Sequence, residues 1–166
     1  MSLLFKNLTL LDPRWTEARG GYEVLVEGDK IKEVSAKPIK SKSAQVVNCG
    51  KRTLMPGLID CHVHFREPGL TKKATMASES ASALAGGVTT VCEMPNTIPP
   101  TVTIAALADK VRRAAEIKGV DIRFFFGITQ DIHLAAFTEL MSSGAEECVR
   151  LRARLAGVKI YLDHST

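Results

Sequence analysis

Aromatic side chains are scarce in this 166-residue sequence, at 5%. A surface for nucleic acid needs clustered basic residues interleaved with aromatics. Here Lys plus Arg exceed Asp plus Glu by only 22 to 18, and the basic residues are scattered. The densest stretch, Lys30 to Lys42, is broken by Glu33, Pro38 and serines, and reads as a solvated turn region. No nucleic-acid partner is expected. Long apolar runs are missing too: nothing approaches the ~18 to 20 residues of a membrane span, so no membrane association is expected. The opening MSLLFKNLTLLDPRW has no basic start, no long apolar centre and no small-residue cleavage site, unlike a secretory signal. There is no CxxC pair. Cys49, Cys61, Cys92 and Cys148 stand far apart and read as reduced thiols in the core of a cytoplasmic protein. What is present, 45% hydrophobic and 24% charged residues, is a globular composition rather than a disordered one.

Two grammars follow one another along the chain. Residues 1 to about 55 predict a small β module. Leu3 to Leu11 is an apolar stretch ended by Asp12-Pro13, and Tyr22 to Glu27 alternates. Gly28-Asp29 then turns the chain into Lys30 to Val34 as a hairpin, and Gln45 to Asn48 is a further short strand. After Pro56-Gly57, strands and helices alternate. Strands are predicted at Leu58 to Phe65, Val88 to Met94, Ile122 to Ile128 and Val158 to Leu162. Helices are predicted at Thr71 to Ala85, Thr103 to Lys118, His133 to Met141 and Ala145 to Arg154. Four such alternations over residues 56 to 166 predict an α/β unit with a parallel sheet covered by helices.

The strand beginning at Leu58 carries the strongest chemical signal. With a period of two, Ile59, Cys61, Val63 and Phe65 share an apolar face towards the helices. Asp60, His62, His64 and Arg66 share the other face. Polar groups of that kind are costly to bury unless hydrogen-bonded, paired or coordinated. Two imidazoles at i and i+2 can share one divalent ion, and imidazole suits Zn²⁺.

The run PGLIDCHVHFREPG, Pro56 to Gly69, resembles the opening signature of the cyclic amidohydrolases. FREPG (Phe65 to Gly69) together with MPNT (Met94 to Thr97) resembles the dihydroorotases among them. The resemblance implies a (β/α)₈ TIM barrel, of which these residues are the first half, with His62 and His64 binding metal at its mouth. It further implies that Arg66 and Asn96 hold the α-carboxylate of the substrate, roles that suit a planar guanidinium and an amide donor. In the fourth strand Lys159 lies on the face opposite Val158, Ile160 and Leu162. Burial beside cations would favour its neutral amine, which can take up CO₂. Family members similar at G-x-K-x-Y use such a carboxylated lysine to bridge two Zn²⁺ ions. Asp60 is expected to support the metal site without binding the ion, and His133 to be a surface or capping residue. His164, Ser165 and Thr166 fall in a loop that covers substrate in relatives.

The implied reaction is the reversible hydrolysis of dihydroorotate to N-carbamoyl-L-aspartate. In the family, further histidine ligands and the proton-shuttling carboxylate come from later strands. A complete barrel typically takes ~250 residues, so this sequence is expected to be an N-terminal piece. It would be inactive alone, have no catalytic proton shuttle of its own and tend to form homo-oligomers through exposed strand edges. The rival readings are another cyclic amidohydrolase, such as an allantoinase or dihydropyrimidinase, and a non-catalytic homologue.

Overall fold

The computed structural model describes residues 1–161, which form two compact units, Met1–Pro56 and the chain from Gly57 onward. The first unit is a sheet of β1 (Ser2–Leu10), β2 (Arg19–Glu27), β3 (Lys30–Ser35), β4 (Gln45–Asn48) and β5 (Thr53–Leu54). Its order is β3-β2-β1-β4, with β5 also pairing β1. Gly28, at φ 63°, lies in the two-residue turn between β2 and β3. Leu4, Leu25 and Ile39 form its buried cluster. The two-residue β5 is too short to show any periodicity in sequence.

The second unit contains β6 (Leu58–Val63), α1 (Met76–Ala85), β7 (Val88–Glu93), α2 (Ile104–Ala114), β8 (Asp121–Ile128), α3 (Asp131–Ser142), α4 (Glu146–Arg152) and β9 (Leu155–Ile160). The strands are parallel in the order β6-β7-β8-β9, so each neighbours its successor in sequence. This is the α/β half-barrel arrangement expected from the alternation of strands and helices. Val91, Ile122, Phe124 and Phe126 from the strands bury against Leu107, Leu140 and Leu151 from the helices. Full burial of each such side chain contributes roughly 1.5–3 kcal/mol.

Several boundaries differ from the sequence reading, for identifiable reasons. Helix α1 starts at Met76 rather than Thr71 because Thr75 caps it: its hydroxyl accepts from the Ser78 amide at 3.1 Å, and Ser78 Oγ accepts from the Thr75 amide at 3.0 Å. Strand β6 ends at Val63, short of Phe65, and its pairing is irregular. Asp60 pairs with Val91 and Val63 with Glu93, so Cys61 and His62 together oppose Cys92. Such a bulge breaks the alternation of side chains. The apolar face predicted for this strand is therefore not continuous. Val63 and Phe65 join the core, whereas Ile59 is 63% exposed and Cys61 is exposed beside Cys92. Of the four cysteines expected in the core, only Cys148 is buried.

Candidate active site

The carboxyl ends of β6 and β7 bring two sequence motifs together. The ring centroids of His62 and His64 are 5.2 Å apart. Asn96, in the loop after β7, places Oδ1 2.8 Å from His64 Nδ1. An amide oxygen can only accept, so His64 Nδ1 donates in this contact and Nε2 lies free of it. A neutral imidazole oriented in this way suits a divalent ion, and the Asn96 NH₂ group stays available to a ligand. Asp60 contacts the backbone of this cluster rather than an imidazole: its carboxylate accepts from the His62 amide at 3.0 Å. Among the described residues no group of three or more His, Cys, Asp or Glu side chains forms a metal cage. The donor set supplied here is the pair of imidazoles.

Arg66 follows directly, half-buried, with a left-handed φ of 62°. Its neighbour Glu67 anchors the turn. Glu67 Oε2 accepts from the Met76 amide at 2.9 Å at the start of α1, and Oε1 pairs with Arg113 Nη1 of α2 at 3.1 Å. Glu67 is thus committed elsewhere, and among the described residues Arg66 forms no ion pair. The two motif loops also interlock. The Ile98 amide donates to Pro68 O at 3.2 Å, and Gly69 stands at φ 84° where a Cβ would lie 2.1 Å from Ile98 O. Gly69→Ala is expected to lose about 2–4 kcal/mol in urea unfolding, from clash and backbone strain together. Gly87→Ala, at φ 82° with open space around it, carries only the strain and is expected to lose about 1–2 kcal/mol. Equal losses would show that the interlock is loose.

Beside Asn96 opens a cleft of about 330 Å³, bounded also by Gly127, His133 and Tyr161. Glycine at 127 permits this approach: a Cβ there would meet Val102 at 3.1 Å and Pro95 at 3.2 Å. His133, in the first turn of α3, accepts the Thr129 amide on Nδ1 at 3.3 Å, a capping contact. Lys159 is half-buried on β9, with Nζ 5.2 Å from the Tyr161 ring centroid. The strand order sets β9 at the opposite margin of the sheet from β6, three strand spacings or roughly 14 Å along the sheet. The structure therefore unites His62, His64 and Asn96 and leaves Lys159 across the sheet from them. His164, Ser165 and Thr166 lie outside the described residues.

One pair escaped the sequence reading. Lys110 of α2 and Glu93 at the end of β7 are each 1% exposed and form an ion pair through Nζ and Oε2. Lys110 Nζ also donates to Met94 O at 3.0 Å. Burial pushes the Glu93 carboxyl up and the Lys110 ammonium down from their ordinary values, against the attraction between them. A signal existed: Lys110 lies about 60° around the helix from Leu107, at the border of the apolar stripe.

Residues 53–161 match the amidohydrolase family, and the chain belongs to that family. Within it, the similarity runs to proteins named dihydroorotase. That of Ehrlichia canis (strain Jake) is 44% identical over 149 residues, covering 87% of this chain and 33% of the relative. That of Lactococcus lactis subsp. lactis (strain IL1403) is 39% identical over 148 residues, covering 87% and 34%. The chain thus spans about a third of the length of the curated relatives it matches. Among solved structures, the L-hydantoinase (dihydropyrimidinase) from Arthrobacter aurescens superposes with a TM-score of 0.77 at 26% identity, over 94% of this chain and 32% of the other. A dihydropyrimidinase from Brevibacillus agri NCHU1002 gives 0.71 at 17% identity, over 97% and 40%, a likeness of fold alone.

Proposed function

We propose that this chain supplies the His-x-His part of the metal site and the substrate-carboxylate site of a dihydroorotase, which hydrolyses dihydroorotate reversibly to N-carbamoyl-L-aspartate in pyrimidine biosynthesis. The observation that carries the reading is the 2.8 Å contact between His64 and Asn96, which joins the two motifs and leaves one face of His64 open beside His62. The names and identities of the curated relatives support the same substrate.

A bound Zn²⁺ pair would supply Lewis-acid polarisation of the ring carbonyl and an acidified water. His62, His64 and a carboxylated Lys159 would hold the metal. The rest is the work of this chain's own groups. Arg66 offers a planar fork to the substrate α-carboxylate, and the Asn96 NH₂ adds a second donor. Asn96 thereby couples substrate position to the orientation of His64, because one amide group serves both. The cleft beside it is of the size that takes small ligands. No described helix is long and apolar enough to cross a membrane. A cytoplasmic homo-oligomer acting on a small molecule is the setting we assign.

The test is turnover of dihydroorotate, dihydrouracil and allantoin by a chain of the relatives' length carrying this sequence. Dihydroorotate is expected to be the preferred substrate, and preference for either of the others would refute the reading. Arg66→Gln is expected to raise KM for dihydroorotate about 10- to 100-fold, the worth of a charge-assisted hydrogen bond. It should leave turnover of dihydrouracil, which lacks the carboxylate, nearly unchanged.

A further inference from the structure

We propose that Glu93 and Lys110 are positioning residues that set the spacing of His64 and Asn96, and so the geometry offered to metal and substrate; this rests on the dihydroorotase reading. Their contacts converge on the backbone at the site. Lys110 Nζ holds Met94 O at 3.0 Å, two residues before Asn96. The Met94 amide in turn donates to Val63 O at 2.9 Å, one residue before His64. A single ammonium group from α2 thus ties down the junction from which both side chains leave. On the other side of the pair, Glu93 Oε1 is buried with no hydrogen-bond partner among the described residues. The Phe65 amide and the Arg66 guanidinium both favour the charged form of this carboxylate, behind Lys110 in influence.

Stability alone does not account for the pair. Apolar residues of similar volume commonly replace a buried ion pair at no loss, or with a gain. What apolar residues cannot supply is direction: a fixed donor at the Met94 carbonyl, held in place by the Glu93 carboxylate. Side chains of a functional site tolerate displacement poorly, and a shift of about 1 Å would break the 2.8 Å contact between His64 and Asn96.

The double variant Glu93→Leu/Lys110→Met separates packing from positioning. In a chain of the relatives' length carrying this sequence, three quantities are read: the unfolding midpoint, zinc affinity by competition with a chromophoric chelator, and kcat and KM for dihydroorotate. The midpoint is expected to match or exceed that of the parent. Zinc Kd is expected to rise about 10-fold, the usual effect of losing support around a metal ligand. KM is expected to rise more than kcat falls. Unchanged zinc affinity and KM in a folded double variant would overturn the proposal. If the double variant does not fold, Glu93→Gln decides: it keeps the shape and removes the charge that holds Lys110 against Met94 O, and an unchanged KM would overturn the proposal equally. A parent that binds zinc but leaves dihydroorotate untouched would refute the substrate reading, while zinc affinity still judges the pair. A parent that binds no zinc refutes both.

Discussion

His62→Ala, in a chain of the relatives' length, is expected to abolish tight zinc binding and lower dihydroorotate turnover about 10²- to 10⁴-fold. The size follows from the several kcal/mol that a bound metal contributes to such a reaction, at about 1.4 kcal/mol per decade. This chain brings few metal donors to the site. Only two imidazoles come together here, and among the described residues no third His, Cys, Asp or Glu completes a cage with them. The unfolding midpoint without metal should hardly move, since His62 is exposed and packs against little. Metal content after gel filtration and turnover with added zinc together check this. Retained zinc with normal turnover would mean that the paired imidazoles are not the metal site.

The largest stability effect is expected from breaking the buried ion pair on one side only. Lys110→Met leaves the Glu93 carboxylate 1% exposed with its counter-ion gone. Removing one partner of such a pair typically costs about 3–5 kcal/mol. The variant should also respond to pH in a particular direction. Burial already pushes Glu93 up, and loss of Lys110 removes the main influence that pulls it down. A carboxyl raised in the folded state favours folding below its unfolded pKa and loses that contribution as pH rises through the folded value. The stability gap between variant and parent should therefore be wide at pH 7 and narrow towards pH 4. Asp109, held low chiefly by its hydrogen bond to Arg113, destabilises both proteins on acidification and cancels in the difference. Urea unfolding of both at the two pH values measures it, and a gap independent of pH would mean that Glu93 is solvated in the variant.

The fold was legible because its signals are local and redundant. Each strand-to-helix alternation is marked by apolar periodicity and by a stop such as Gly86-Gly87 or Gly119, and errors at one boundary do not propagate. The site was legible in composition but not in detail. His62, His64 and Asn96, each singled out by a motif, lie together, but the contact between His64 and Asn96 was not foreseen. The reading of β6 as a regular strand failed because a bulge leaves no trace in residue type: Cys61 is an ordinary strand residue, and only its pairing with β7 shows two residues facing one. Glu93 and Lys110 were missed for another reason. The place of Lys110 at the border of the apolar stripe is a weak signal, because a charged side chain in a helix is normally solvated and its burial here depends on a partner 17 positions away.

Arg66 adopts a backbone conformation that glycine accepts freely and an L-residue with a long side chain resists, at a typical cost of about 1 kcal/mol. The carboxylate of Glu67, fixed to the Met76 amide and Arg113, clamps the chain immediately after this position. A glycine at 66 would ease that tension and forfeit the guanidinium. At this one position thermal robustness and the proposed ligand recognition pull in opposite directions, so selection of variants for heat tolerance alone would drift towards a protein without the guanidinium.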